Sequence, residues 1–182
     1  MFDYVLMGMV LHEPMTGYDI KKNIEMSIGN FFKVSHGQLY PALKRLTEKK
    51  YLTMEEDAQS GRAKKYYQIT ELGENAFLGW LAAPTDFNTN SDALMVKIFF
   101  FGELPEEVRR QRFHEMEIFV QQHLRALREI EAQFADNIKS ERDYFEMATL
   151  YFGIQNLINV LSWLGHIKEM KPYCDYIQED KQ

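Results

Sequence analysis

Cations and hydrogen-bonding side chains are concentrated in two short segments of this 182-residue chain. Residues 35–49 read SHGQLYPALKRLTEK, and residues 61–73 read GRAKKYYQITELG. Lysine and arginine bind phosphate oxygens, and a glutamine amide is suited to the edge of an adenine. We therefore expect the chemistry of these two segments to be contact with nucleic acid.

The first segment has the start signals of a short helix. Ser35 and Gln38 have the spacing of a capping box, and Val34 and Leu39 stand where a hydrophobic staple requires apolar residues. Leucines at positions 39, 43 and 46 form one buried face. The start of the helix and its opposite face carry the residues expected to contact DNA: Ser35, His36, Gly37, Gln38, Tyr40, Pro41, Lys44 and Arg45.

Several of these residues also have plainer interpretations. Gln38 is equally well explained by the capping box. For Tyr40, a place at the rim of the core is an alternative that the pattern favours less than DNA contact. Lys44 and Arg45 fit solvated surface charges, which is the commoner role of isolated cations. Pro41 lies beyond the first helical turn, so helix propensity alone predicts that the helix ends there.

The second segment predicts a basic hairpin. Strands over 51–56 and 64–69 enclose a loop with Ser60 and Gly61. Arg62, Lys64 and Lys65 flank this turn, so their charges would reach a phosphate or the minor groove. A helix over 71–81 should follow, with Thr70 as its N-cap. A capped helix followed by a basic hairpin is the layout of a winged helix-turn-helix.

Two helices are predicted before these segments, over 2–11 and 17–28. Thr16 is the expected N-cap of the second, with Asp19 three residues later, and Gly29 is its expected end. The linker over 30–34 is short, as a helix-turn-helix requires.

Beyond residue 91 the pattern is helical, with helices expected over 94–101, 106–136 and 141–170. In the second of these, apolar residues follow a three-four spacing from Phe113 to Phe134, interrupted by His123. The last helix is apolar nearly all round, which requires a second neighbour, and we expect a homodimer. Candidate interface residues are Met116, Val120, Leu127, Ile154, Leu157, Leu161 and Leu164.

The fold class is therefore predicted as mainly α with a small β-hairpin wing. A DNA-binding domain is expected over 1–83, a polar linker over 84–91, a helical dimerisation and effector domain over 92–176, and a tail over 177–182. The net charge of −6 does not argue against DNA, because residues 1–73 hold 10 basic and 9 acidic residues, against 11 and 18 in the remainder.

Other classes of function fit poorly. His114 and Glu115 lack the second histidine of a zinc-protease helix, and Cys174, the only cysteine, has no visible activating neighbour. We expect no enzyme, no cofactor and no metal. The lone cysteine and the absence of a long apolar span favour a cytoplasmic protein without a membrane.

Three motifs resemble the signature of the PadR family of bacterial transcriptional regulators. They are TGYDI at 16–20, S-x-G-x-LYPxLxxL at 35–46, and GRxKKYYxIT-xxG at 61–73. The resemblance implies a dimeric repressor that binds an inverted-repeat operator, adds Tyr18 to the DNA-contact candidates and tolerates Pro41. Two departures stand out, since Lys50 replaces the glycine that usually ends the recognition helix, and acidic residues 55–57 open the wing.

The resemblance also implies a small aromatic or phenolic effector. Candidate pocket residues are Phe99, Tyr151, Phe152, Trp163 and His166, although ordinary core is the commoner role for each. The alternative function is a protein-interaction module that uses the helical half and binds no specific DNA sequence.

Overall fold

Seven α-helices and three strands follow one another in the computed structural model, which describes residues 1–57, 64–84, 91–134 and 138–172. The elements are α1 (Phe2–Met9), β1 (Met15–Thr16), α2 (Gly17–Ser27), α3 (His36–Glu48), β2 (Leu52–Asp57), β3 (Lys64–Ile69), α4 (Glu71–Ala82), α5 (Ser91–Phe99), a 3-10 turn (Phe101–Glu103), α6 (Glu106–Phe134) and α7 (Glu141–Lys168). This order confirms the predicted fold class.

The sheet differs from the expected hairpin by one short strand. β3 pairs antiparallel with β2 from Leu52 opposite Ile69 to Asp57 opposite Lys64. On its other edge β3 pairs with the two residues of β1, so the strand order is β1-β3-β2. β1 places the start of α2 directly beside the wing.

The chain forms two compact units, residues 1–106 and 107–182. In the first unit α1 packs against α2, α3 and α4. Gly8 on α1 allows a close approach of aromatic rings, because an added Cβ would lie 2.7 Å from Phe100 and 2.8 Å from Phe77. α5 joins the same unit, since Lys97 donates a hydrogen bond to the Ala83 carbonyl at 2.8 Å. The predicted domain limits at 84–91 remain a prediction, with 85–90 outside the described residues.

The predicted helix starts are correct at α2 and α4. Thr16 and Asp19 form a reciprocal capping box, and the Thr70 hydroxyl accepts from the Gly73 N–H at 3.1 Å. The predicted capping box of α3 is wrong. The Ser35 side chain makes no capping bond and instead donates to the Gln38 side-chain oxygen at 3.1 Å, because the two side chains turn toward each other rather than toward the backbone.

Lys50 occupies a backbone conformation that favours glycine. Its φ is 60°, and it follows α3 in a Schellman arrangement, with the Tyr51 N–H on the Leu46 carbonyl and the Lys50 N–H on the Thr47 carbonyl, each at 3.0 Å. Thr70 stabilises this turn by donating to the Lys50 carbonyl at 2.7 Å. Lys50 therefore replaces the usual glycine, and the backbone turn that ends α3 is nevertheless kept.

In the second unit the apolar seam of α6 is buried along only half of its length. Phe113, Met116 and Val120 are buried, whereas the seam residues Ile130 and Phe134 are exposed. On α7, Met147, Ile154 and Leu164 are buried. Four interface candidates, Met116, Val120, Ile154 and Leu164, are therefore covered within one chain. Leu127, Leu157 and Leu161 are partly exposed.

An ion pair also joins the two long helices, and a capping box marks the start of α7. Lys168 pairs with Glu117 at 2.9 Å, and Ser140 with Asp143 forms a capping box at the start of α7. Hydrogen bonds from the Lys139 and Ser140 N–H groups hold the pKa of Asp143 below its usual value. In the described ranges no helix is long and apolar enough to cross a membrane.

Replacing Lys50 by glycine should stabilise the first unit. The left-handed conformation costs a side-chain-bearing residue about 1–2 kcal/mol, part of which is offset because glycine loses more entropy on folding. We expect Lys50→Gly to raise the free energy of urea unfolding by about 0.5–1 kcal/mol. Lys49→Gly is the matched control, because Lys49 has a φ of −77° and should show no gain. An equal or lower stability for Lys50→Gly would contradict the strain.

Candidate nucleic-acid interface

The face of α3 opposite its leucines is open to solvent. Ser35, His36, Gly37, Gln38, Tyr40, Pro41, Lys44 and Arg45 are all exposed. Tyr40 is 47% exposed, and its ring lies parallel to the His36 ring with centroids 6.2 Å apart. A Cβ added at Gly37 would meet no atom within 4 Å, so the space beside Gly37, near the start of this face, is open. This geometry allows a close approach to base edges.

The position of the Tyr40 ring depends on a glycine at the start of α2. Gly17 is buried, and an added Cβ would lie 2.8 Å from Cε1 of Tyr40 and 3.4 Å from Leu43. Any larger residue would push the Tyr40 ring away. The TGYDI motif therefore positions a side chain of α3 as well as capping α2.

Two grooves open on either side of Tyr40. The first, of about 680 Å³, lies between the start of α2, α3 and β3. Its lining residues are Thr16, Gly17, Tyr18, Asp19, Tyr40, Lys64, Lys65, Tyr66 and Tyr67. The second, of about 530 Å³, lies between α3 and the sheet. It is lined by Tyr40, Lys44, Thr47, Glu48, Met54, Lys65 and Tyr67.

Three cations of this surface are paired with carboxylates of the same chain. Lys65 Nζ lies 3.1 Å from Glu56, across the β2–β3 ladder. Lys44 Nζ lies 3.8 Å from Glu48, one turn along α3. The Arg45 guanidinium makes two hydrogen bonds to Asp3, one of them from Nε at 3.3 Å. The surface therefore carries counter-charges from the same chain.

Arg45 differs from the two lysines because its partner lies on another helix. The hydrogen bond and the charge of Asp3 raise the pKa of Arg45 above its ordinary value. This pair connects α1 to α3, and the predicted role of Arg45 in phosphate contact is thus joined to a structural one. Tyr67 lines the second groove. Burial raises the pKa of its phenol, and the positive charge of Lys65 offsets part of this rise.

Two more predicted contacts lie at the edge of the surface. Tyr18 is 64% exposed at the first groove, and Lys64 is exposed on β3. Arg62 and the hairpin turn fall in 58–63, outside the described residues. Five of the described DNA-contact candidates line the two grooves, namely Tyr18, Tyr40, Lys44, Lys64 and Lys65, and the others are exposed at the start of α3 or along it.

The effector candidates are divided between the two units. Phe99 belongs to α5 in the first unit, where its ring is edge-on to Phe100 with centroids 4.9 Å apart. The other four lie on α7, with Tyr151 and Phe152 exposed and Trp163 and His166 partly buried. Their role in binding an effector remains a prediction.

Gly17, Asp3 and Glu48 were not predicted to belong to this surface, and Glu56 was noted only as one of the acidic residues 55–57. The i,i+4 spacing of Lys44 and Glu48 was a readable signal for one pair. Glu56 opposite Lys65 requires the strand register, and Asp3 near Arg45 requires the fold, since these residues are 42 positions apart.

Pro41 lies inside α3 and does not end it. Proline has no N–H to donate to the Gly37 carbonyl four residues earlier, and its ring crowds that carbonyl. Burial of Leu39, Ala42, Leu43 and Leu46 holds the helix together despite this loss. Helix propensity alone predicted that α3 ends at Pro41. Burial of the apolar face of α3 outweighs that tendency.

Replacing Pro41 by alanine should stabilise the protein, because alanine restores the missing donor. We expect Pro41→Ala to raise the free energy of unfolding by about 1–3 kcal/mol, measured by urea denaturation. Pro14→Ala is the control, since Pro14 is exposed and outside the helices. A loss of stability in Pro41→Ala would show that α3 depends on the proline.

The fold and surface together define a winged helix-turn-helix of the kind that binds DNA. α2 and α3 form the helix pair, with α3 as the second helix, and β2 with β3 forms the wing. Residues 5–78 match the model of the transcriptional regulator PadR-like family, and residues 92–170 match the model of the virulence activator alpha C-terminal region. Residues 5–78 therefore carry a PadR-like domain, and the families matched along this chain are transcriptional regulators, not enzymes.

Relatives match along nearly the whole chain. The negative transcriptional regulator PadR of Bacillus subtilis is 24% identical over 176 residues, covering 92% of this chain and 95% of the relative. A crystal structure of Bacillus subtilis PadR with operator DNA is 25% identical with a TM-score of 0.47, covering 93% of this chain and 96% of the other. Another, with p-coumaric acid, is 26% identical with a TM-score of 0.43, covering 93% and 97%.

Proposed function

We propose that the chain is a dimeric cytoplasmic repressor that binds an inverted-repeat operator through α3. The exposed face of α3, with Tyr40 seated on Gly17 between two lysine-lined grooves, carries this proposal. The N-terminal residues of α3 meet base edges in the major groove, while Lys64, Lys65 and Arg62 contact phosphates. Similarity to a negative regulator supports repression.

A second copy of the chain covers the exposed apolar residues of the second unit. Monomeric proteins rarely expose large contiguous apolar surfaces. Here exposed apolar residues lie in the second half of α6, at position 138 and on α7. They are Ile130, Phe134, Ile138, Tyr144, Phe145, Tyr151 and Phe152. In a two-fold dimer the paired recognition helices would read half-sites about one DNA turn apart, roughly 34 Å.

An aromatic or phenolic effector that releases the operator is the remaining part of the proposal. It rests on family resemblance and on the aromatic residues of α7, with Tyr151, Phe152, Trp163 and His166 as candidates. A protein-interaction role without specific DNA binding is the alternative, and the first experiment below separates the two.

Tyr40→Ala should weaken sequence-specific DNA binding without unfolding the protein. Loss of a side chain at the centre of the reading face costs about 1–3 kcal/mol, or roughly fivefold to 150-fold in affinity for the promoter fragment of its own gene in a gel-shift assay. Lys64→Ala should weaken binding to all DNA duplexes alike. It should also reduce the slope of log affinity against log salt concentration by about 1.

The matched control for the charge change is Lys139→Ala, an exposed lysine of the second unit. Unchanged affinity of Tyr40→Ala for the promoter fragment would contradict the role of α3. Failure of the wild-type chain to shift any promoter DNA, together with a stable complex with another protein, would favour the interaction module.

Phe134→Asp should convert the dimer to a monomer, because it places a carboxylate within the exposed apolar surface. We expect the mass measured by light scattering to halve at micromolar concentration, while circular dichroism keeps its helical signal. Phe134→Leu, which keeps the surface apolar, should remain dimeric. A wild-type protein that is monomeric at all concentrations would refute the dimer.

A further inference from the structure

The groove between α3 and the sheet is charge-balanced by the chain itself. Lys44 and Lys65 both line it, one from α3 and one from β3. Each has a carboxylate within reach, Glu48 at 3.8 Å and Glu56 at 3.1 Å. Each of these oxygens occupies the kind of position beside an ammonium group that a DNA phosphate oxygen would take.

We propose that Glu48 and Glu56 compete with DNA phosphate for Lys44 and Lys65 and thereby set the affinity for the DNA backbone. This inference rests on the proposed function, since it concerns the same surface. It assigns a role to two acidic residues in a surface otherwise described by its cations.

The Lys44–Glu48 and Lys65–Glu56 pairs are more exposed to solvent than the Arg45–Asp3 pair. The side chains of Lys44 and Glu48 are 78% and 63% exposed, and those of Lys65 and Glu56 are 54% and 52% exposed. Exposed pairs contribute little to stability, so a phosphate can replace the carboxylate at small cost to the fold. Arg45 and Asp3 are less exposed, make two hydrogen bonds and join two helices, and this pair is structural.

Strand register places Glu56 where competition is strongest. Glu56 lies directly opposite Lys65 in the β2–β3 ladder, and Asp57 lies opposite Lys64. A carboxylate so placed neutralises the lysine and also repels an approaching phosphate. Contacts with the DNA phosphates supply most of the affinity for random-sequence DNA. The two glutamates therefore weaken binding of the protein to DNA outside its operator.

Glu56→Gln tests the proposal, because glutamine keeps the side-chain shape and removes the charge. We expect about twofold to fivefold tighter binding both to a random-sequence duplex and to the promoter fragment of its own gene, measured by fluorescence anisotropy. The slope of log affinity against log salt should steepen by up to about 0.9 for each lysine released. Glu48→Gln should act in the same direction through Lys44.

Glu146→Gln is the matched control, because it makes the same charge change and frees Arg142, its exposed partner at 2.8 Å in the second unit. Its affinity and salt slope should equal those of the wild type. An equal gain in DNA affinity for Glu146→Gln would show that the effect comes from net charge alone. It would overturn the proposed competition. Wild-type binding with unchanged affinity in both Glu48→Gln and Glu56→Gln would overturn it as well, leaving the proposed function intact. Absence of wild-type binding to either duplex would overturn both.

Discussion

Burial of one face of α3 is the constraint on which the rest of the first unit depends. Leu39, Leu43 and Leu46 are fully buried, and this burial fixes the rotation of the helix about its axis. The opposite face is thereby turned to solvent with Tyr40 at its centre. The same burial explains why α3 continues through Pro41, since the apolar contacts of a helix outweigh the loss of one backbone donor.

The residues around α3 combine structural and binding roles. Gly17 belongs to α2, yet its missing side chain decides where the Tyr40 ring lies. Arg45 belongs to the exposed face, yet it joins α3 to Asp3 on α1. Lys65 belongs to the wing and lines both grooves. The surface is therefore positioned by α1, α2 and β3 together, and its charges are balanced within the chain.

Much of this arrangement follows from local sequence. The Thr16–Asp19 cap, the Thr70 cap, both strands of the wing and the long helices were predicted, because capping residues and apolar periodicity act over a few positions. The two-residue β1 is too short for periodicity to reveal. Ser35 is the N-cap of α3 as predicted, whereas its reciprocal capping box with Gln38 was wrong because the two side chains hydrogen bond to each other. The Asp3–Arg45 pair and the Tyr40–Gly17 contact arise only when distant segments fold together.

Protection of guanine N7 from methylation tests most directly whether α3 reads the major groove. On a duplex that carries the promoter of its own gene, the account predicts protected guanines in two successive major grooves on one face of the DNA. The two patches should be related by inverted repetition and separated by about one helical turn. Protection confined to the minor groove, or none at a protein concentration that saturates the duplex, would contradict it.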